Sequence, residues 1–150
     1  MYDFSYSKAA SVADAVKALG DAEAKVIAGG QTFIPVLKQR LNKPSKVVDL
    51  AGLKDLVGIR REGDAVVIGA MTTHHAVATN ADIRAALPGL SHMASHIGDT
   101  QVRHRGTMGG SLANNDPSAC YPSAVLALKG TIVTDRRRIA ADDYFQGMFT

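Results

Sequence analysis

The first fifty residues alternate short apolar runs with stretches of helical periodicity. Val12, Val16 and Leu19 recur at i, i+4 and i+7 and predict a helix, which Ser11 caps together with an aspartate three residues on. Residues 33–41 repeat this spacing and predict a second helix. Around these helices the sequence predicts three short strands, over residues 4–6, 25–28 and 46–50.

The pattern changes after residue 56. Two β-branched runs flank a Glu-Gly-Asp turn at Gly63 and predict an antiparallel hairpin over residues 57–70. Asp116 and Pro117 are typical of the N-cap and first residue of a helix, here one that continues to Leu128. Other helices are predicted after Thr72 or Thr73, over residues 87–97 and from residue 142, and a strand is predicted over residues 131–134.

The composition is that of a globular protein. The 150 residues are 46% hydrophobic and 21% charged, and the mean hydropathy is close to zero. No run approaches the roughly 20 apolar residues that a membrane helix needs. Residues 1–5 lack the basic and apolar regions of a secretory signal. We therefore expect a cytoplasmic chain that does not insert into a membrane.

The charge and the single cysteine restrict the possible functions. The net charge is +3, and the clustered basic residues at 103–105 and 136–138 have no interleaved aromatics, so we expect solvated faces or subunit contacts rather than a nucleic-acid site. Cys120 is the only cysteine, which rules out an internal disulfide and a cysteine-rich metal or cluster site within this chain. Any iron–sulfur chemistry would have to come from another subunit.

Two glycine-containing stretches carry the candidate chemistry, and the first is residues 107–117. Its Gly109 and Gly110 allow positive φ and let a bulky ligand approach the peptide groups. The helix predicted from Asp116 adds unpaired N–H groups and a partial positive charge, so the stretch suits an anion. Taken alone, the same residues also fit an ordinary loop.

The second stretch, residues 26–35, makes the anion hypothesis stronger. Gly29 and Gly30 follow a predicted strand and precede a predicted helix. Two such loops on opposite sides suit a pyrophosphate, whose charge is spread over two phosphoryl groups. The G-x-G-x-x-G fingerprint and the Walker A loop are both absent, which disfavours the common nucleotide folds. Hydroxyl and amide side chains accompany both glycine pairs: Gln31 and Thr32 in one stretch, and Thr107, Ser111, Asn114 and Asn115 in the other.

The histidines and the cysteine offer an alternative interpretation. His92 and His96 lie at i and i+4 of a predicted helix, the spacing that puts two imidazoles on one face, and His74 and His75 could add a third ligand. The glutamate of H-E-x-x-H is missing. We expect exposed or helix-packing histidines and no metal site in this chain. Cys120 near a helix start could have a lowered pKa, but we expect a small buried side chain and no catalytic residue.

Motifs over nearly the whole chain resemble the FAD-binding medium subunit of the molybdenum hydroxylases, the carbon monoxide dehydrogenase and xanthine dehydrogenase family. They lie in that family's order and spacing at residues 28–38, 68–73, 97–103, 107–111 and 115–117. The resemblance implies an α+β fold of the vanillyl-alcohol oxidase and cell-wall enolpyruvyl reductase type, also called PCMH-like. Its two FAD-binding subdomains would be residues 1–56 and 57–150. Since members of the family continue beyond this length, we expect the second subdomain to be truncated.

The resemblance also implies which residues bind the cofactor. Residues 28–32 would wrap the FAD pyrophosphate, residues 107–111 would hold the phosphate and ribityl region from the other side, Thr72 would lie near the flavin end, and Ile97 would pack on the cofactor. Cys120 stands where related proteins often have a cofactor-contacting aspartate. The full set implied is Ala28, Gly29, Gly30, Gln31, Thr32, Thr72, Ile97, Thr107, Gly109, Gly110, Ser111, Asn115 and Asp116.

The implied function is electron transfer. A large subunit would hold the molybdopterin cofactor, a small subunit would hold two [2Fe–2S] clusters, and FAD in this chain would pass the electrons to an external acceptor. The complex would be a dimer of heterotrimers. Two alternatives stay open: a truncated module that binds FAD weakly or not at all and has no activity alone, and a standalone flavin oxidase, for which the sequence defines no substrate pocket.

Overall fold

The computed structural model describes residues 1–149, and its first part is built on a small parallel sheet. The strand order is β1-β3-β2, and both strand pairs are parallel. The central strand contributes the buried Val47 and Val48. The predicted order of strands and helices is confirmed, with β1 at Ser5–Lys8, α1 at Val12–Ala18, β2 at Ala24–Ile27, α2 at Phe33–Lys38 and β3 at Lys46–Asp49.

Helix α1 has the predicted start but not the predicted buried face. The Ser11 hydroxyl accepts a hydrogen bond from the Asp14 N–H at 3.0 Å, as an N-cap does. Val12 and Leu19 are exposed, however, and Ala15 is the buried residue of the helix. The apolar spacing therefore identified the helix correctly and its inner face wrongly, because the helix packs on β3 through its small alanines, Ala15 and Ala18.

The second part begins with the predicted hairpin, β4 (Ile59–Glu62) and β5 (Ala65–Ile68). The strands pair antiparallel across a two-residue turn in which Gly63 has φ 60°, the sign that the first central residue of a type II′ turn requires. The remaining elements are α3 at His74–Thr79, α4 at Ala81–Ala86, α5 at Pro88–Ser95, α6 at Thr100–Arg105, α7 at Met108–Asn114, α8 at Cys120–Ala127, β6 at Thr131–Val133, β7 at Arg138–Ala140 and α9 at Ala141–Tyr144.

Local signals set several of these helix starts. Side-chain oxygens of Thr73, Asn80 and Asp99 accept hydrogen bonds from the third N–H of α3, α4 and α6, at 2.7 to 3.2 Å. Pro88 occupies the first turn of α5, where its missing N–H costs nothing. No helix among residues 1–149 is both long and apolar enough to cross a membrane.

The predicted helix start at Asp116 is wrong. Helix α8 begins at Cys120, and its N-cap is Ala119. The Asp116 carboxylate instead accepts hydrogen bonds from the N–H and the hydroxyl of Ser118, at 2.9 and 2.7 Å, and these bonds lower the pKa of Asp116. An aspartate that closes such a local turn has the same sequence appearance as an N-cap, since both bind an N–H a few residues on.

Each part of the chain has its own apolar cluster. In the first, Ala15 and Val48 pack with Ala9 and Leu53. In the second, α3, α4, α5 and α8 meet, and the hairpin packs against them through Ile59, Val66 and Ile68. The fully buried members of this second cluster are Val77, Ile83, Ala94 and Tyr121.

Two polar atoms in the second cluster have no hydrogen-bond partner among the described residues. They are Nδ1 of His74 and the hydroxyl of Tyr121, and the two rings lie 5.2 Å apart between centroids. Burial lowers the pKa of His74 from 6.5 to about 4 and raises the pKa of Tyr121. Both groups are therefore neutral in the folded chain at neutral pH.

Replacing Ile83 by alanine tests the second cluster. Because this side chain is fully buried, we expect the free energy of unfolding to fall by about 2–5 kcal/mol, the usual cost of such a truncation. Urea denaturation measures the change. Val12→Ala, at an exposed site on α1, is the control and should stay within about 0.5 kcal/mol. Equal losses in the two variants would contradict the burial described here.

His74 also predicts a loss of stability in acid. Between pH 6.5 and about 4 the unfolded chain binds a proton at this histidine and the folded chain does not, so stability falls as the pH falls and is fully present above pH 6.5. The shift corresponds to roughly 3 kcal/mol as an upper bound, which residual solvent around the ring lowers. His74→Phe should lack it, as measured by urea denaturation across this range. An unchanged slope in His74→Phe would contradict the assignment.

Candidate cofactor site

The glycine stretch at residues 26–35 joins β2 to α2 and offers a run of free backbone donors. None of the N–H groups from Gly29 to Phe33 donates a hydrogen bond within residues 1–149. The next N–H, that of Ile34, bonds to the Gly30 carbonyl at 3.0 Å and begins the helical pattern. Gln31 and Thr32 are exposed, so the run is open to solvent. Five adjacent unpaired N–H groups are a set that an anion can accept from.

The two glycines of this stretch have different reasons to be glycine. Gly30 has φ 75°, a conformation that other residues adopt with strain. Gly29 lies against the backbone that joins α6 to α7: a Cβ on Gly29 would overlap the carbonyl oxygen of Arg105 and come within 2.8 Å of the Gly106 Cα. The free donors are therefore held against the second part of the chain by direct backbone contact.

The glycine stretch at residues 107–117 contains a helix start, not the expected loop. Thr107 is the N-cap of α7, and its hydroxyl accepts a hydrogen bond from the Gly110 N–H at 3.1 Å. The positive φ expected at Gly109 and Gly110 is wrong, since both residues are helical. Close packing explains at least one of them, because a Cβ on Gly109 would lie 2.6 Å from the Ala70 carbonyl oxygen.

The first turn of α7 has no spare backbone donors. The N–H of Met108 bonds to the Thr72 carbonyl, that of Gly109 to the Ala70 carbonyl and that of Ser111 to the Thr107 carbonyl, at 2.9 to 3.1 Å. The two expected loops thus differ in chemistry. The stretch at residues 26–35 presents free N–H groups, whereas the stretch at residues 107–117 presents a glycine surface and the partly exposed Ser111.

The structure brings the two stretches together. A Cβ placed on Gly110 would be 3.5 Å from the Cβ of Ala28, the residue just before the run of free donors. Thr73 and Thr107 form an antiparallel bridge, and the His74 N–H bonds to the Gly106 carbonyl at 3.0 Å, so the segment behind Gly29 is fixed in turn to α3. Gly106 is the contact that sequence reasoning missed, because no local pattern signals its neighbours.

Four other residues predicted to bind the cofactor either pack in the apolar core or use their polar groups in hydrogen bonds within the chain. The buried Thr72 hydroxyl both accepts from the N–H and donates to the carbonyl of Gly58, at 3.0 Å each. Ile97 packs against the second apolar cluster. Asn115, with φ 44°, donates from its amide to the Gly147 carbonyl at 2.7 Å, and Asp116 closes its own turn. An open groove of about 340 Å³ lies beside Thr72, between residues 57–59 and α3.

Neither a buried Cys120 nor a metal site with three protein ligands is supported among the described residues. Cys120 is exposed, so the expectation of a buried side chain is wrong. It is the first residue of α8, and the buried face of that helix consists of Tyr121, Pro122 and Val125. His74 is buried and His75 stacks on His104, so neither joins the His92 and His96 pair. Within the described part of the chain, no group of three or more histidine, cysteine or carboxylate side chains is arranged to hold a metal ion.

Comparison with known proteins finds relatives over nearly the whole chain. A family model described as the FAD binding domain in molybdopterin dehydrogenase matches residues 2–150. The carbon monoxide dehydrogenase medium chain of Afipia carboxidovorans is 42% identical, over 97% of this chain and 53% of its own length. The nicotine 6-hydroxylase medium subunit of Paenarthrobacter nicotinovorans is 40% identical, over 96% of this chain and 53% of its own.

A solved structure matches over the same span. Carbon monoxide dehydrogenase from Hydrogenophaga pseudoflava, in a form that lacks the Mo-pyranopterin moiety, superposes with a TM-score of 0.96 at 37% identity, over 99% of this chain and 54% of that one. This chain therefore spans about half the length of the relatives it matches, with the same mixed arrangement of helices and strands. It belongs to the family of FAD-binding domains of the molybdopterin dehydrogenases.

Proposed function

We propose that this chain binds FAD through residues 28–33 and serves in the electron-transfer flavoprotein subunit of a molybdenum hydroxylase. The observation that carries the proposal is the run of five unpaired N–H groups from Gly29 to Phe33. A chain of this family needs a site for a dianionic pyrophosphate, and backbone donors with no partner of their own can provide it without a side-chain cation.

The proposed site has two unequal sides. Residues 29–33 donate hydrogen bonds to the phosphoryl oxygens, and Gln31 and Thr32 are exposed beside them. On the other side Gly109 and Gly110 leave room for the cofactor chain, and the Ser111 hydroxyl is the polar group within that surface. Thr107 holds this side in place, because its hydroxyl caps α7 and is buried. Thr72 fixes Gly58 beside the groove, and Ile97 supports the second cluster.

The cofactor would lie where two subdomains meet. The two apolar clusters support a boundary near residue 56, because one draws its members from residues 9–56 and the other from residues 59–124. Residues 1–56 would supply the donors, and the later residues would supply the opposing surface. This is the arrangement expected of the PCMH-like fold. Asn115 and Asp116 would act at a distance, by fixing the segments that follow α7.

Bound FAD would supply the redox chemistry, carrying electrons from the [2Fe–2S] clusters of a small subunit to an external acceptor. No acid or base of this chain is needed, and the chain's own part is to bind and orient the cofactor. The relatives named as medium chains or medium subunits support a complex of several subunits. In the proposed complex a large subunit holds molybdopterin and a small subunit holds the iron–sulfur clusters, and the complex is a cytoplasmic dimer of heterotrimers. A chain that does not retain FAD is the alternative.

Purified chain should take up FAD, and ADP should compete for the site. ADP contains the pyrophosphate without the flavin, so it should occupy the donors of residues 29–33, whereas riboflavin, which has no phosphate, should compete poorly. Equilibrium dialysis, with FAD and riboflavin separated by chromatography before quantitation, measures both competitions. A chain that stays colourless in excess FAD would contradict the proposal, and competition by riboflavin equal to that of ADP would contradict the assignment of the pyrophosphate to this loop.

Gly29→Ala tests the backbone contact that holds the loop. The added methyl group would overlap the Arg105 carbonyl, so the loop must move and the donors lose their arrangement. We expect FAD affinity to fall at least about tenfold, equivalent to 1.4 kcal/mol. Gly89→Ala is the matched control, because a Cβ there meets nothing within 4 Å. Wild-type affinity in Gly29→Ala, with the fold checked by circular dichroism, would show that the loop is assigned wrongly.

A further inference from the structure

Two pairs of histidines lie on the surface, and they differ in geometry. His92 and His96 stand one turn apart at the end of α5, both exposed, with ring centroids 4.5 Å apart and ring planes inclined by 51°. His75 and His104, also exposed, have centroids 4.0 Å apart and planes inclined by only 22°. The first pair is tilted and the second is stacked.

Hydrogen bonds fix the tautomer of His96. Its Nδ1 lies 2.9 Å from the His92 carbonyl oxygen and 3.0 Å from the Ser95 hydroxyl. The Ser95 hydroxyl uses its only proton to donate to the same carbonyl, at 2.7 Å, so both neighbours of Nδ1 are acceptors. Nδ1 therefore carries the hydrogen, and Nε2 carries a free lone pair. Metal-binding histidines are usually oriented in this way, by a backbone carbonyl at the other nitrogen.

Ring inclination decides which pair can share one ion. An imidazole binds a metal along the lone pair in its ring plane, so two rings on one ion need planes that intersect at the ion. The planes of the neighbouring His92 and His96 rings are inclined by 51°, so they are not parallel and leave room for one ion to be shared. Nearly parallel rings at stacking distance, as in His75 and His104, direct their lone pairs side by side.

We propose that His92 and His96 bind one divalent transition-metal ion of the class that imidazole prefers, Ni²⁺, Zn²⁺ or Cu²⁺. Since residues 1–149 contain no third side-chain ligand at the pair, water completes the coordination. His96 is the C-cap of α5, and the partial negative charge of a helix C-terminus favours a cation there. Leu90 and Ala94, on the opposite face of α5, are buried in the second apolar cluster. The ion would therefore lie on the solvent-exposed face of this helix.

Nickel titration of the full, tag-free 150-residue chain tests the site. Calorimetry should give one Ni²⁺ per chain. His92→Gln and His96→Gln should each weaken binding by about tenfold or more, because loss of an outer-shell partner alone costs about 10–100-fold and these changes remove a ligand. Both positions are exposed, so the variants should fold, and circular dichroism checks this.

Two controls separate this pair from other donors. His104→Gln removes a ring of the stacked pair, and Cys120→Ser removes the exposed thiol. Both should bind Ni²⁺ as the wild type does, and saturating Ni²⁺ should raise the melting temperature of each. The proposal is overturned if wild-type chain shows no saturable binding below millimolar Ni²⁺, if His96→Gln binds as tightly as wild type, or if His104→Gln weakens binding as much as His96→Gln does.

Discussion

The direct contact of Gly29 with the Arg105 carbonyl and the Gly106 Cα is the constraint on which the proposed cofactor site depends. It holds the run of free donors against the second part of the chain. Gly106 rests in turn on His74, since a Cβ at Gly106 would lie 2.5 Å from the ring Nε2, and the His74 ring packs near Tyr121 in the core. The position of a surface loop is thereby determined by buried residues some forty-five to ninety positions later in the chain.

The two glycine pairs show that one dipeptide can serve different physical purposes. Gly30 provides a positive φ that lets β2 turn into α2 and leaves the intervening N–H groups pointing away from any carbonyl partner. Gly109 has ordinary helical geometry and is small because the backbone at Ala70 lies against it. The first pair therefore creates donors, and the second removes side-chain volume. A cofactor that is both charged and bulky needs both.

Local signals in the sequence predicted helices and strands well, but predicted poorly which residues pack together or form hydrogen bonds. Ser11, Thr73, Pro88 and Gly63 act on residues within one turn of themselves, and the helices and the hairpin that they predict are confirmed. Other expectations failed because the outcome depends on competing or distant groups. Asp116 bonds to Ser118 instead of capping a helix, and α1 buries alanines rather than its larger side chains. The glycines indicated that residues 29–33 contain unpaired N–H groups, but the sequence could not predict how many. An N–H is unpaired only if the fold brings no carbonyl oxygen within hydrogen-bonding distance of it.

The unpaired N–H groups of residues 29–33 affect both the stability of the loop and its affinity for an anion. An unpaired N–H that is also dry would destabilise the fold, but residues 29–33 are open enough for water to serve each group in the absence of a ligand. Binding an anion then exchanges water for phosphoryl oxygens without forming the loop anew, because the contact with Arg105 and Gly106 has already fixed its shape. The affinity of such a site comes from this preorganisation. A substitution that merely loosens the contact should therefore weaken binding while every donor is still present, since the loop would have to be ordered again each time the ligand binds.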